Sequence, residues 1–243
     1  QVEPEQIIIG AGTEYMYGML IQLLGRDKTY CVEDPGYSKI ARIYSSNNVK
    51  YCYAGMDKEG ICPDKIRECD ADIVHISPTH HFPTGITMPV SRRFELLAWA
   101  NEKDDRYIIE DDYDSEFRMT GKTIPTMKSI DISEKVIYMN TFSRTLTPTI
   151  RISYMVLPPH LAAVYRERLS FYSCTVSNFE QYTLAEFIQD GYFEKHLNRM
   201  RLFYSRQREA ILSVLKSGSC KCAGSVREAD SGLHFILELN TKL

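Results

Sequence analysis

Arg144 and Arg151 bracket a run of hydroxyl side chains in Tyr138-Met-Asn-Thr-Phe-Ser-Arg-Thr-Leu-Thr-Pro-Thr-Ile-Arg151. Hydroxyls beside guanidinium groups suit a phosphate: neutral donors shape the cradle, and arginine adds charge and a bidentate fork. A second anion feature lies upstream. Gly10-Ala-Gly12-Thr13-Glu14 leads into Tyr15 to Leu24, whose apolar residues recur at helical spacing. The free N–H groups at such a helix start, helped by the dipole, attract an anion. A glycine turn that merely opens a helix is the plainer alternative. Asp111-Asp112-Tyr113-Asp114 follows the apolar run Arg106 to Glu110 and offers a positioned acid. His80 and His81 are adjacent, so an extended backbone aims them to opposite sides. Neither has a spaced partner for a metal.

These groups need elements to hold them. The pattern predicts strands at Gln6–Gly10, Tyr30–Glu33, Val49–Tyr53, Asp72–Ile76, Arg106–Glu110, Val136–Met139 and Ser153–Leu157. Helices are expected after Gly12, from Tyr37 to about Asn47, from Pro63 to Cys69, and from a Ser91 cap to Asn101. Beyond Pro159 helical periodicity covers 160–171, 178–189 and 192–216, and Gly232 to Leu239 reads as a strand of a different unit. Strands alternating with helices mean an α/β fold with a largely parallel sheet. Such sheets bind ligands at the carboxyl ends of their strands. Gly12-Thr13, Tyr37, His80-His81, Asp111-Tyr113 and Ser143-Arg144 all fall just past a strand, which gathers them into one expected site. A composition shift at Pro158-Pro159 divides the chain into 1–158 and 159–243.

The chain has 243 residues, 44% hydrophobic and 25% charged, with a formal net charge of −3. That is ordinary globular composition, and no basic face argues for nucleic-acid binding by this segment. No apolar run approaches membrane-span length. The seven cysteines include no C-x-x-C pair, so reduced thiols in a cytoplasmic protein, without a metal site, are expected. The chain begins with Gln1, and it reads as a piece of a longer product without a secretory leader.

The landmarks Gly10-Ala-Gly-Thr-Glu14, Glu33-Asp-Pro-Gly-Tyr37, Pro78-Thr-His-His-Phe-Pro-Thr-Gly85, Ile108-Ile-Glu-Asp-Asp-Tyr-Asp-Ser-Glu-Phe117 and Thr141-Phe-Ser-Arg-Thr-Leu146 with Arg151 occur in a recognisable order. They resemble pyridoxal-phosphate-dependent aminotransferases of fold type I. More closely, they resemble the aminotransferase-like domain of MocR-type regulators in the GntR family, from about Val2 to Leu239. The resemblance implies a large cofactor-binding domain in 1–158 and a helical connection with a partial C-terminal α+β subdomain in 159–243. It implies pyridoxal phosphate as cofactor, with Asp111 at the ring nitrogen and Tyr113 at the ring oxygen. Tyr37 would stack on the ring, and His81 would line the site. Gly12, Thr13, Glu14, Ser143 and Arg151 would surround the phosphate, and Thr141 would be a further cofactor-binding residue. For Glu14 the backbone N–H is the useful group, and its side chain is expected to point away.

Two residues depart from the enzyme pattern. Phe82 stands where many aminotransferases carry an asparagine, and an aromatic there is common in the regulators. Arg144 occupies the position of the lysine that forms the Schiff base with the cofactor aldehyde. Lysine can present a free amine, whereas arginine stays protonated with its charge delocalised. The expectation is a noncovalent pyridoxal-phosphate-binding effector domain without transaminase activity. It would be homodimeric, respond to a small amine or amino acid, and reach DNA only through a winged-helix segment absent from this chain. A working aminotransferase on amino acids, and a cofactor-free dimerisation scaffold or decayed fragment, are the alternatives. The family's substrate-carboxylate arginine would lie beyond Leu243.

Overall fold

The computed structural model describes residues 2–118, 124–217, 223–227 and 233–239. The chain opens with β1 (Ile7–Ala11), α1 (Thr13–Leu24), β2 (Thr29–Asp34), α2 (Ser38–Ser46) and β3 (Lys50–Asp57). A two-residue β4 (Gly60–Ile61), α3 (Pro63–Glu68), β5 (Ile73–Ile76), α4 (Val90–Asn101) and β6 (Tyr107–Asp111) follow. Then come α5 (Met127–Ile130), β7 (Val136–Thr141), α6 (Phe142–Thr145), β8 (Ile152–Val156) and α7 (Pro159–Leu169). The last elements are α8 (Asn178–Gln189), α9 (Tyr192–Lys216), β9 (Ala223–Arg227) and β10 (Ile236–Leu239).

Eight strands form one sheet in the order β1-β8-β7-β6-β5-β2-β3-β4. The run β7-β6-β5-β2-β3 is parallel, whereas β8 is antiparallel to both β7 and β1, and β4 is antiparallel to β3. Side chains alternate across a strand, and the sequence uses this to fill two cores. Tyr30, Val32, Ile73, Ile109, Ile137 and Met139 meet α1, α2 and α7 on one face. Cys31, Val74, Ile76, Ile108 and Val136 meet α3, α4 and α5 on the other. The order of strands reverses between β2 and β5. Loops leave such a switch point in opposite directions and open a crevice at the strands' carboxyl ends.

Two compact units emerge: Gln1–Tyr113 with Ile124–Val176, and Asp114–Thr123 with Ser177–Leu243. The first unit runs on through α7 to Val176, past the composition shift at Pro158-Pro159. Helix α7 buries Leu161, Ala162 and Leu169 in the core of the first unit. In the second unit the Phe117 ring meets Tyr204 edge-on at 5.6 Å, and Arg201 Nε donates to Glu116 O at 2.6 Å. Its strands β9 and β10 form an antiparallel pair. Gly232, Cys220, Cys222 and Lys122 lie outside the described residues.

Ser91 does not cap α4; the helix already starts at Val90, with Pro89 before it. Proline cannot donate a backbone hydrogen bond, so it suits a position where the helix needs none. Within α4, Arg93 is fully buried. Its guanidinium donates to the carbonyls of Met88, Pro78 and Pro125 and lies 3.9 Å from Glu110. Glu110 in turn accepts from Met127 N and Lys128 N, which ties α5 to β6. Arg93→Met should therefore lower unfolding stability by about 3–5 kcal/mol, the usual cost of breaking a buried pair from one side. A urea titration measures it; a loss under ~1 kcal/mol would mean that the carbonyls re-pair at little cost.

Candidate functional site

A cavity of about 340 Å³ opens at the carboxyl ends of the parallel strands, within the usual size range of small-molecule sites. Its walls come from five places in the first unit. The start of α1 contributes Thr13, Glu14 and Tyr17; the segment after β2 contributes Tyr37 and Lys39. Ser77 and Phe82 follow β5, Asp111 ends β6 with Tyr113 after it, and Thr141, Ser143, Arg144 and Arg151 flank α6.

Asp111 forms the floor. Burial leaves it 6% exposed, and its Oδ2 accepts from Tyr17 OH at 2.5 Å. His75 Nε2 lies 3.5 Å from the same oxygen, while His75 Nδ1 pairs with Tyr44 OH at 2.7 Å. Burial, followed by the Asp111 charge, pushes the Tyr17 hydroxyl well above its ordinary pKa, so it stays a donor. The other carboxylate oxygen, Asp111 Oδ1, is buried and has no hydrogen-bond partner among the described residues. A buried acceptor without a donor costs free energy, so a cationic donor from a bound molecule would be stabilised there.

The opposite end of the cavity is cationic. Gly12 adopts a φ of +91°, and a Cβ there would lie 2.2 Å from Arg151 Nη2. A side chain at this turn would displace the arginine as well as strain the backbone. Arg151 Nη2 donates to Glu14 Oε2 at 2.5 Å, and Lys39 Nζ donates to Glu14 Oε1. The Glu14 side chain thus does not point away: two cations converge on it and remove the repulsion an isolated carboxylate would create. Partial burial acts upward on Glu14, but the hydrogen bond from Lys39 and the nearby Arg151 charge hold its carboxyl below the usual value. The same hydrogen bond raises the Lys39 ammonium.

Arg144 sits on α6, the turn that Thr141 caps by accepting from Ser143 N at 3.3 Å. The exposed Arg144 guanidinium lies 5.9 Å from the centre of the Tyr113 ring, within range of a cation–π contact. Ser143 Oγ donates to Ile150 O at 2.9 Å, closing the loop between the two arginines. Tyr37 is 47% exposed and meets the Phe82 ring edge-on at 5.8 Å. It is therefore a wall residue and not a core tyrosine.

Of the two histidines, His81 is off the cavity wall. Its ring faces Thr84 Oγ1 at 2.7 Å and Glu33 Oε2 at 3.4 Å. His80 is the one beside the site, stacked on Tyr113 with ring centres 6.1 Å apart. The expectation of His81 as a lining residue is corrected accordingly: Thr84 and Glu33 hold its ring away from the cavity. Gly12 acts under the arginine and not on the wall. Tyr17, His75, Tyr44 and Lys39 were not anticipated. Tyr17 and Tyr44 lie in helices and His75 in an apolar strand, where each reads as core.

Glu33, at the end of β2, is buried and accepts from Ser77 N at 3.1 Å. Burial pushes its carboxyl up to about 8 from an ordinary 4.5. Because the folded value is the higher one, the protonated form favours folding. This stability is present below pH 4.5 and is lost as pH rises through about 8, at about 1.4 kcal/mol per unit. Glu110, raised by burial to about 7, contributes a slope of the same sign. Glu33→Gln should make the fall in unfolding stability between pH 5 and 8 distinctly shallower without abolishing it. Equal slopes in both proteins would show that Glu33 is ionised throughout.

The fold is that of pyridoxal-phosphate-dependent aminotransferases of fold type I. The Pyrococcus horikoshii kynurenine aminotransferase, solved in complex with PMP, superposes with a TM-score of 0.81 at 28% identity, over 95% of this chain and 59% of its own. The multiple substrate aminotransferase of Thermococcus profundus gives 0.78 at 27% identity, over 93% and 58%. No protein-family model matches the chain. By sequence, the chain belongs to the MocR-type, GntR-family regulators, as their aminotransferase-like part. The HTH-type transcriptional regulator YdeL of Bacillus subtilis is 41% identical over 236 residues, 97% of this chain and 50% of its own length. The rhizopine catabolism regulatory protein MocR of Rhizobium meliloti is 31% identical over 241 residues, 99% and 48%. The chain spans about half the length of the curated relatives it matches.

Proposed function

We propose that the chain is a pyridoxal-phosphate-binding effector domain of a transcription regulator, holding its cofactor without a covalent bond and lacking transaminase activity. The observation that carries this reading is the pairing of an unpartnered, buried Asp111 Oδ1 with a cationic far end in one cavity, while Arg144 lines the wall between. These residues fit the cofactor. Asp111 would hold a proton on the ring nitrogen, and Tyr37 would cover a ring face. Tyr113 would serve the ring oxygen. Thr13, Ser143 and Arg151 would hold the phosphate with the N–H groups of α1. Glu14 would release Arg151 to the phosphate and keep Lys39.

When bound, the cofactor supplies an electrophilic aldehyde and an electron-withdrawing ring. Transamination then needs a neutral amine that bonds to the aldehyde and moves a proton. Arg144 stays protonated and supplies neither. Lys39, the one lysine on the described cavity wall, is held as an ammonium by Glu14. The domain therefore reads occupancy: the cofactor, or its adduct with a small amine or amino acid, is the signal. In this reading DNA contact belongs to a helix-turn-helix segment, the domain pairs as a homodimer and works in the cytoplasm. No described helix is long and apolar enough to cross a membrane.

Equilibrium dialysis against pyridoxal phosphate tests the reading. Saturable, stoichiometric binding that is fully reversed by dialysis is expected. Absence of saturable binding would favour a cofactor-free scaffold.

A further inference from the structure

Outside the cavity, three cysteines distant in sequence converge on the second core face. Cys31 on β2 and Cys52 on β3 are direct register partners in adjacent parallel strands. Cys69, the C-cap of α3, folds over them, its Sγ 3.5 Å from Tyr53 O. The three sulfurs all lie within 4.8 Å of one another. Cys31 is fully buried, whereas Cys52 and Cys69 are half-buried and give access from solvent.

We propose that Cys31, Cys52 and Cys69 form a three-sulfur site for a soft, thiophilic metal ion, with monovalent copper as the type ion. Three thiolates at about 2.3 Å from a shared centre sit ~4 Å from each other. The observed spacing needs a contraction of less than about 1 Å, within the reach of side-chain rotation. No imidazole or carboxylate joins the cluster at this spacing among the described residues. Zinc favours four ligands, commonly completed by histidine or further cysteines. Sulfur-only donors select soft ions instead. Binding displaces the thiol protons and forms metal–sulfur bonds without any change of oxidation state.

The half-buried Cys52 and Cys69 give an ion its way in, with the fully buried Cys31 beneath them, and the thiol protons leave to solvent as the metal–sulfur bonds form. The site does not depend on the cofactor reading, since none of its residues lines the cavity.

The test is an anaerobic titration of the reduced full chain with Cu(I) and, separately, Zn(II), in a Cys220→Ser, Cys222→Ser background. One Cu(I) per chain is expected, with three sulfur neighbours by X-ray absorption and ultraviolet thiolate-to-metal absorption. Cys69→Ser and Cys52→Ser should each weaken Cu(I) binding beyond the ~10–100-fold that losing a ligand's supporting hydrogen bond costs. Cys62→Ser and Cys174→Ser should leave it unchanged, and a circular dichroism spectrum matching the parent shows that a variant is folded. The proposal is overturned if Cu(I) binding survives Cys52→Ser and Cys69→Ser, or if the ion carries fewer than three sulfurs. It is also overturned if Zn(II) alone binds, with a fourth non-sulfur ligand, or if the reduced chain takes up no Cu(I).

Discussion

Arg144→Lys is expected to turn reversible cofactor binding into a covalent bond that borohydride makes permanent. Position 144 lies on the cavity wall beside Tyr113, on the short helix that β7 delivers into the site. A lysine there loses its proton far more readily than a guanidinium and bonds to the aldehyde. The lost Arg144–Tyr113 contact, an exposed cation–π pair, is worth only about 0.5–1 kcal/mol. The gain should exceed it: retention at least ~100-fold tighter, or about 2.7 kcal/mol. After reduction, peptide mapping should place one phosphopyridoxyl group at residue 144. Arg144→Gln, which removes the charge but adds no amine, should acquire none. An Arg144→Lys protein without the adduct would put the assignments of Asp111, Tyr113 and Arg151 in error together.

Asp111→Asn should weaken pyridoxal phosphate by about 2–5 kcal/mol, the cost of removing one side of a buried charged pair. That is roughly a 30- to 5000-fold rise in Kd. Asparagine preserves volume and can still accept from Tyr17 OH, so the change isolates the negative charge at the ring nitrogen. The thermal unfolding midpoint serves as the control and should move little. The absorption of any residual bound cofactor should shift, because the ring nitrogen would no longer be kept protonated. An unchanged Kd would show that Asp111 Oδ1 faces something other than the ring nitrogen.

The architecture was largely legible because alternation within strands and helical spacing between them are local signals. Tyr30 and Val32 against Cys31, or Ile109 against Ile108, announce two covered sheet faces before any coordinates. That Asp111, Thr13, Glu14 and Arg151 line one cavity was legible through motifs that sit just past strands. What escaped depended on contacts between residues far apart in sequence. His75 sits in Ile73–Ile76 and looks like a core residue; only the packing of α1 and α2 brings Tyr17 and Tyr44 to it. Lys39 follows a turn motif with nothing to mark it, and its importance comes from Glu14. The cysteines at 31, 52 and 69 have no metal-like spacing, because strand pairing and a helix end assemble them. The Glu14 side chain was expected to turn away from a phosphate by charge repulsion, and the sequence does not show that Arg151 and Lys39 both converge on it.

The central claim is that this cavity holds pyridoxal phosphate without a bond to the protein. Borohydride reduction of the unmodified protein with stoichiometric pyridoxal phosphate, followed by peptide mapping, tests it most directly. The expected result is cofactor that is bound before reduction yet leaves no phosphopyridoxyl group on any cavity residue. A stoichiometric adduct on Lys39, the lysine on the described wall, would contradict the claim and give the protein a covalent amine after all.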